Sequence, residues 1–175
     1  LSSSSAASDV YKRQALRIAG ERVYRDRTIE VTYPYTGEVI ATVPKATLDD
    51  VRNALRIARD YKPTLTRYER YKILMRAGEI IASRLDEISR TITLESGLSR
   101  KDSLYEVGRA SDVLLFAANQ ALVDDGQVFS CDLTHHGKSR KVYTLREPLQ
   151  GAITAITPFN HPLNQVIHKL SLIHI

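Results

Sequence analysis

The stretch that decides the fold is Leu145–Lys169, which reads LREPLQGAITAITPFNHPLNQVIHK. Within it, Gly151–Pro158 is short and nearly continuously apolar, which is typical of a strand buried on both faces of a parallel sheet. Pro162 follows, and a helix is expected from Leu163 onward. A strand buried on both faces needs helices on both sides, so the stretch predicts an α/β fold whose sheet this one strand cannot complete.

A β-hairpin is predicted nearer the start of the chain. Ile29–Thr32 and Val39–Val43 alternate apolar and polar residues, as half-buried strands do. Tyr33–Glu38 lies between them and carries a proline and a glycine, which favour a turn.

Three helices are predicted next, each from a start signal in which a hydroxyl residue precedes a carboxylate residue by three positions. These pairs are Thr47 with Asp50, Thr66 with Glu69, and Ser99 with Asp102. The second helix is expected to run unbroken to Gly97 and to bury Leu74, Ala77, Ile81, Leu85 and Ile88. The third is expected to run to about Val123 and to bury Leu104, Val107, Val113 and Leu114.

A second pair of strands is predicted after the third helix. Gln127–Leu133 and Lys141–Leu145 flank His135–Lys138, which reads as a turn. The two adjacent histidines could suggest a metal site, but no second ligand cluster with zinc-like spacing accompanies them. A hairpin turn is therefore the preferred interpretation, and no metal is predicted.

Composition excludes several classes of protein. The chain has 175 residues, of which 43% are hydrophobic and 26% charged, with one cysteine and a formal charge of +5. Those fractions exclude collagen-like, low-complexity and disulfide-rich chains. No run of about 18 apolar residues is present, so no membrane-spanning segment is expected. Basic residues are interleaved with acidic ones rather than concentrated in one stripe, so nucleic-acid binding is not expected.

Both ends of the chain are expected to be translated adapter rather than natural protein. Asp9–Gln14 can be encoded by GATGTGTATAAGAGACAG, and the reverse complement, CTGTCTCTTATACACATC, reads in frame as Leu170–Ile175. An inverted repeat of this kind looks like the transposon end used in sequencing libraries. We therefore expect residues 1–14 and 170–175 to belong to no domain, and residues 15–169 to be an internal piece of a longer protein.

Residues 15–169 resemble the aldehyde dehydrogenase superfamily. One signature of that superfamily has an arginine, a proline and a glycine before an apolar strand. A T-P-aromatic-N-x-P turn follows the strand. In this chain the signature matches Arg146, Pro148, Gly151 and Thr157–Pro162. Tyr33–Ile40 resembles the family's entry hairpin. Leu94–Gly97, followed by Glu106–Val107, resembles its paired helix motif. Within the superfamily, TPFNHPLNQV together with Arg109 most resembles the phosphonoacetaldehyde dehydrogenases.

The resemblance implies the N-terminal third of an enzyme that oxidises an aldehyde to its acid with NAD or NADP. Residues 15–169 would be a partial NAD(P)-binding domain of the aldehyde dehydrogenase fold, comprising helices, the first parallel strand and a β-ribbon at about 127–145. The resemblance also implies a cytoplasmic homo-oligomer, a dimer or tetramer, with the ribbon as a subunit contact. The solvated rim of a hairpin is the simpler interpretation of its basic residues.

Site residues follow from the same resemblance. Asn160 matches the side-chain amide that donates to the oxyanion of the tetrahedral intermediate; the alternative is an ordinary turn asparagine. Ile156, Thr157, Pro158 and Phe159 match the segment against the ribose and nicotinamide of the cofactor, with plain strand-end packing as the alternative.

Three further residues match positions that face the substrate. His161 and Asn164 match positions that line the substrate tunnel, and Arg109 matches a helix from which an arginine can bind an anionic substrate. A guanidinium suits a phosphonate bidentately. The alternative for Arg109 is an i,i+3 pair with Glu106 on a solvated face.

The family's nucleophilic cysteine and its glutamate base are expected to lie outside this chain. Cys131 precedes Asn160, whereas the nucleophile of the family comes well after that asparagine, so Cys131 is interpreted as an inert strand thiol. The 175-residue chain is therefore expected to be inactive by itself. The alternative function is that of a non-catalytic superfamily member, or of a module that binds a nucleotide or a partner.

Overall fold

A computed structural model describes residues 12–123, 126–145, 147, 149 and 151–173 of the protein. Arg146 and Pro148 of the predicted signature lie outside the described residues. The elements are β1 Lys12–Arg13, β2 Leu16–Ile18, β3 Glu21–Val23, β4 Thr28–Thr32, β5 Val39–Pro44, α1 Leu48–Asp60, α2 Arg67–Ser83, α3 Leu85–Ser96, α4 Arg100–Ala121, β6 Val128–Ser130, a 3₁₀ turn His135–Gly137, β7 Lys141–Tyr143 and α5 Asn164–Ile173. Among the described helices, none is long and apolar enough to cross a bilayer.

The predicted hairpin is confirmed as the antiparallel pair β4–β5. Its turn is closed by the Tyr33 N–H, which donates to the Glu38 carbonyl at 2.8 Å, and by the Gly37 N–H, which donates to the Tyr33 carbonyl at 2.8 Å. Gly37 has a φ of 76°, a conformation that favours glycine. On the other side of β5, β1 pairs in parallel. Strand β1 falls within residues 1–14, whose origin as adapter stays a prediction.

The other β pairs are small. Strands β2 and β3 form a separate two-stranded antiparallel sheet. Strands β6 and β7 form the predicted ribbon, with Phe129 opposite Val142. Both of the ribbon's strands are shorter than the sequence predicted.

All three predicted helix starts are confirmed. In α1, α2 and α4 the capping hydroxyl accepts the backbone N–H three residues on, at 3.1, 3.2 and 3.2 Å respectively. At α1 and α2 the carboxylate also accepts the N–H of the capping threonine, which completes a capping box.

The second predicted helix is wrong as a single unit, because the chain breaks at Arg84 into α2 and α3. Arg84 leaves helical geometry, with φ −109° and ψ 21°. Its guanidinium bonds both carboxylate oxygens of Glu87 at 2.7 and 2.8 Å, which stabilises the new helix start. Of the two α3 residues in the predicted buried stripe, Leu85 is exposed and Ile88 is half-buried. Helix α3 instead turns Ser89 and Ile92 inward.

The core lies around α4, which contacts α2, α3 and α5. The predicted burial of Val107 and Leu114 is confirmed, whereas Leu104 and Val113 are half-buried. One apolar cluster comprises Leu74, Leu114, Ala117, Ala118 and Ala121. Ile167 of α5 packs against this cluster, so the core fixes α5 on the surface of α4.

The prediction of a buried strand at Gly151–Pro158 is wrong, because these residues form no strand. Ile153 and Ile156 are exposed. A strand exists only where a neighbouring strand supplies hydrogen-bond partners, and none of the described strands lies beside this segment. The segment nevertheless leads directly into the turn before α5, where the predicted site residues lie.

Candidate active site

The predicted site lies where α4 meets the start of α5, and Glu106 joins the two helices. Glu106 is 2% exposed. Its Oε1 accepts the backbone N–H of Leu163 and that of Asn164, both at 2.9 Å. The Gln165 N–H donates to the His161 carbonyl at 3.1 Å in the same turn. Glu106 therefore holds the backbone three and four residues after Asn160.

The second oxygen of Glu106 faces His161. Glu106 Oε2 is buried and has no hydrogen-bond partner among the described residues. The imidazole Nδ1 of His161 lies 3.9 Å from it, beyond hydrogen-bond distance, and the ring is 49% exposed. Asn164 is buried, and its Oδ1 likewise has no partner within the described part of the chain. The structure thus brings together two of the predicted substrate residues, His161 and Asn164, beside a carboxylate.

Asn160 lies in the bend that precedes α5, and it is exposed. Its position suits a turn asparagine, and an exposed amide is also available to a bound molecule. The two interpretations are compatible, because a turn fixes the backbone from which an amide donates. Its role as oxyanion donor stays a prediction.

Arg109 lies on α4, one helical turn after Glu106, and is exposed. Its guanidinium carbon is 5.9 Å from the centre of the Tyr105 ring, within the range of a cation–π contact. Arg109 does not pair with Glu106, because the Glu106 carboxylate is buried and accepts the N–H groups of Leu163 and Asn164. The guanidinium of Arg109 is therefore left facing solvent beside an aromatic ring.

The predicted cofactor segment presents an apolar surface to solvent. Ile156 is 79% exposed and Phe159 is 88% exposed, while Thr157 between them is half-buried. In the described part of the chain, no neighbouring segment covers the side chains of Ile156 and Phe159. Uncovered apolar side chains beside polar ones are typical of a surface that another group covers.

The ribbon holds the remaining candidates. Cys131 is a half-buried free thiol whose backbone N–H donates to the Arg140 carbonyl at 3.2 Å. His135 and His136 lie on the 3₁₀ turn, with ring centres 3.8 Å apart. In the described part of the chain, no group of three potential metal ligands was found.

The hydrogen bonds from Glu106 to the start of α5 were not predicted from the sequence. A signal was present, because Ser103, Val107, Ala110 and Leu114 recur at helical spacing and define the buried face of α4. Glu106 lies three residues after Ser103 and four before Ala110, so it belongs to that face. A carboxylate on a buried face requires donors, and a neighbouring helix start is an obvious source of them.

Comparison with known proteins identifies related chains. The sequence model of the aldehyde dehydrogenase family matches residues 23–173. The chain is 36% identical over 160 residues to 3-sulfolactaldehyde dehydrogenase from Priestia aryabhattai, covering 91% of this chain and 33% of that protein. It is 33% identical over 157 residues to lactaldehyde dehydrogenase from Methanococcus aeolicus, covering 88% and 32% respectively.

Solved structures give a similar result. Aldehyde dehydrogenase 21 from Physcomitrella patens, in complex with the reaction product succinate, superposes with a TM-score of 0.87 at 31% identity, covering 91% of this chain and 34% of that one. The NADP-dependent glyceraldehyde-3-phosphate dehydrogenase from Bacillus halodurans, complexed with NADP, gives 0.80 at 27% identity, with 89% and 34% covered. The chain spans about a third of the length of the relatives it matches.

Proposed function

Because this chain belongs to the aldehyde dehydrogenase family, we propose that the protein of which it forms a part oxidises an aldehyde to the carboxylic acid, with NAD or NADP as the hydride acceptor. The observation that carries this proposal is the α4–α5 junction, where Glu106 of α4 accepts hydrogen bonds from the start of α5, just after the bend that contains Asn160. A fixed turn is what a preorganised donor requires.

Asn160 is the proposed oxyanion donor. A cysteine thiolate from another part of the protein adds to the aldehyde carbonyl, and the carbonyl oxygen gains negative charge. The Asn160 amide N–H donates to that oxygen. A glutamate, also outside this chain, activates the water that releases the acid. The 175-residue chain is expected to be inactive without those two groups.

Ile156, Thr157, Pro158 and Phe159 are proposed to hold the ribose and nicotinamide. Their uncovered apolar side chains, with the half-buried Thr157 among them, fit a flat ring system and a polar sugar. The cofactor accepts a hydride when bound. Support for NADP comes from the glyceraldehyde-3-phosphate dehydrogenase, whose structure contains it.

The proposed substrate is an anionic aldehyde of the phosphonoacetaldehyde type. Arg109 supplies a solvent-facing guanidinium, and His161 and Asn164 lie beside Glu106, just before and at the first residue of α5. Two similar proteins are named after anionic aldehydes, 3-sulfolactaldehyde and glyceraldehyde 3-phosphate, and the structure of a third contains the anionic reaction product succinate. Lactaldehyde, which is neutral, is named in others.

We also propose a homo-oligomer with the β6–β7 ribbon as a subunit contact. Val128 and Tyr143 are paired on this ribbon, and both are exposed apolar residues that a second subunit can cover. A cytoplasmic location stays a prediction.

The test is to recover the natural reading frame beyond codon 169 and assay the full-length protein. We expect a glycine-rich turn, then a glutamate and then a cysteine in the family's motif, together with aldehyde-dependent reduction of NAD or NADP. A full-length frame that lacks the cysteine would favour the alternative, a non-catalytic member that binds a nucleotide or a partner. NADH formation by the 175-residue chain alone would contradict the proposal that the nucleophilic cysteine and the glutamate base lie outside this chain.

A further inference from the structure

We propose that Glu106 is the positioning residue of this site, with one carboxylate oxygen holding the turn after Asn160 and the other setting the orientation of the His161 ring. The inference rests on the proposed function for its kinetic consequence. Its structural basis is independent, since it depends only on contacts between α4 and the start of α5.

Glu106 Oε1 ties the start of α5 to α4. Two backbone N–H groups, from Leu163 and Asn164, converge on this one oxygen at 2.9 Å each. They come from residues 57 and 58 positions away in sequence, so the bonds are tertiary rather than local. The start of α5, and with it the preceding bend at Asn160, is therefore held in a defined place relative to α4.

Glu106 Oε2 faces His161. This oxygen is buried and lacks a hydrogen-bond partner among the described residues, and a carboxylate oxygen only accepts hydrogen bonds. Within the described part of the chain, His161 Nδ1 is the one cationic or imidazole nitrogen within 4 Å of it, at 3.9 Å. An approach of about 1 Å would turn this contact into a hydrogen bond.

The chemistry of the two groups fixes the direction of that bond. A neutral imidazole carries its proton on one nitrogen, and the partner of each nitrogen decides which one. Facing an acceptor, Nδ1 must carry the proton. The Nε2 of His161 is then the nitrogen available to a bound molecule.

The substitution Glu106→Gln separates the two roles of Glu106, which are to hold the start of α5 and to orient the His161 ring. In Glu106→Gln, the amide oxygen still accepts the N–H groups of Leu163 and Asn164, so the turn remains held. The amide NH₂ now faces His161 as a donor, and Nδ1 becomes an acceptor. Glu106→Ala loses both roles. Glu79→Gln is the matched control, because Glu79 is an exposed glutamate on α2 paired with Arg76.

The decisive readout is the imidazole ¹⁵N spectrum of the full-length protein, recorded at a pH where the imidazole is neutral and assigned with a His161→Gln variant. We expect the proton of His161 on Nδ1 in the natural protein and in Glu79→Gln, and on Nε2 in Glu106→Gln. A role confined to capping the helix would leave the tautomer unchanged. The same tautomer in the natural protein and in Glu106→Gln would overturn the assignment of His161.

The kinetic readout is kcat for aldehyde oxidation, normalised to the titrated active sites. We expect Glu106→Gln to retain kcat within about threefold and Glu106→Ala to lose at least about tenfold, because Asn160 is no longer held in place. Equal kcat in Glu106→Ala and the natural protein would overturn the positioning role. If Glu106→Ala does not fold, a loss of at least about tenfold in kcat in Glu106→Gln would overturn the positioning role instead.

If the natural full-length protein oxidises no aldehyde, the proposed function fails, while the tautomer measurement still decides the contact between Glu106 and His161.

Discussion

Arg25, which lies between β3 and β4, donates two hydrogen bonds to the carboxylate of Asp50 in α1. Its Nε donates to Oδ2 at 3.1 Å, and a second guanidinium nitrogen donates to Oδ1. The same carboxylate accepts the Thr47 N–H at 2.9 Å and the Thr47 hydroxyl at 2.8 Å. The Arg25 side chain, and after it the two bonds from Thr47, hold the pKa of Asp50 well below its usual range. The Asp50 carboxylate thus caps α1 and connects this helix to the segment between β3 and β4.

This arrangement predicts acid sensitivity. Because folding lowers the pKa of Asp50, the stabilisation is present above the unfolded value of about 4 and is lost as the pH falls through the folded value. Asp50→Asn should lower the urea midpoint at pH 7, and its stability should depend less on pH between 7 and 3 than that of the natural chain. Urea unfolding at a series of pH values measures this.

The control for the acid experiment is Asp49→Asn, which removes a neighbouring carboxylate that is exposed. Burial raises the pKa of Glu95, so that group acts in the opposite sense, but it is common to both variants and cancels in the comparison. Identical pH profiles for Asp50→Asn and Asp49→Asn would contradict the prediction.

Truncation of the core should be costly at Leu114. This side chain is 3% exposed and packs with Leu74 between α2 and α4. Leu114→Ala should lower the free energy of unfolding by about 2–5 kcal/mol. Leu115→Ala, at an exposed neighbouring position, should lower it by about 1 kcal/mol or less. Urea unfolding of the two variants checks this, and similar losses in both would argue against the packing described for α4.

Removal of the Asn160 amide should lower kcat in the full-length protein. An oxyanion donor contributes about 10²–10³ in rate, so Asn160→Ala should lose that much in kcat with little change in melting temperature. Asn119→Ala is a suitable control, because Asn119 is an exposed asparagine whose amide donates to the Leu115 carbonyl. Steady-state kinetics decide the matter: a loss below about threefold would leave Asn160 as a turn residue only.

Arg109 should discriminate between substrates by charge. Arg109→Ala should raise KM for a phosphonate aldehyde by about tenfold to a hundredfold, the equivalent of a charged hydrogen bond, and KM for a neutral aldehyde by about twofold at most. Arg76→Ala, at an exposed arginine on α2, should affect neither substrate. Equal increases for the two substrates in Arg109→Ala would remove Arg109 from the anion site.

Local features of the fold were predictable because their causes are local. The hydroxyls of Thr47, Thr66 and Ser99 each accept a backbone N–H three residues on, and the sequence contains every group involved. The β4–β5 turn likewise depends on Gly37 alone for its positive φ. Such features need no information from distant parts of the chain.

The remaining features depend on tertiary partners. No glycine or proline marks the break at Arg84, and α3 is positioned by contacts with α4, such as the hydrogen bond between the Ser89 and Ser103 hydroxyls. Gly151–Pro158 has the composition of a buried strand, but a strand requires a neighbour. Glu106 meets α5 across 57 residues of sequence. Its burial could be predicted from helical spacing, but its partners could not.

The way in which α5 begins also restricts how a charged substrate can be recognised. The first N–H groups of a helix carry partial positive charge and are a common binding site for phosphate or sulfonate. At α5 the carboxylate of Glu106 already occupies that position. Under the proposed function, these N–H groups would not bind a substrate anion, because Glu106 already accepts their hydrogen bonds and carries the same charge. Under the proposed function, selectivity among anionic aldehydes would therefore depend on side chains such as Arg109, and a point substitution could change it without rebuilding the backbone.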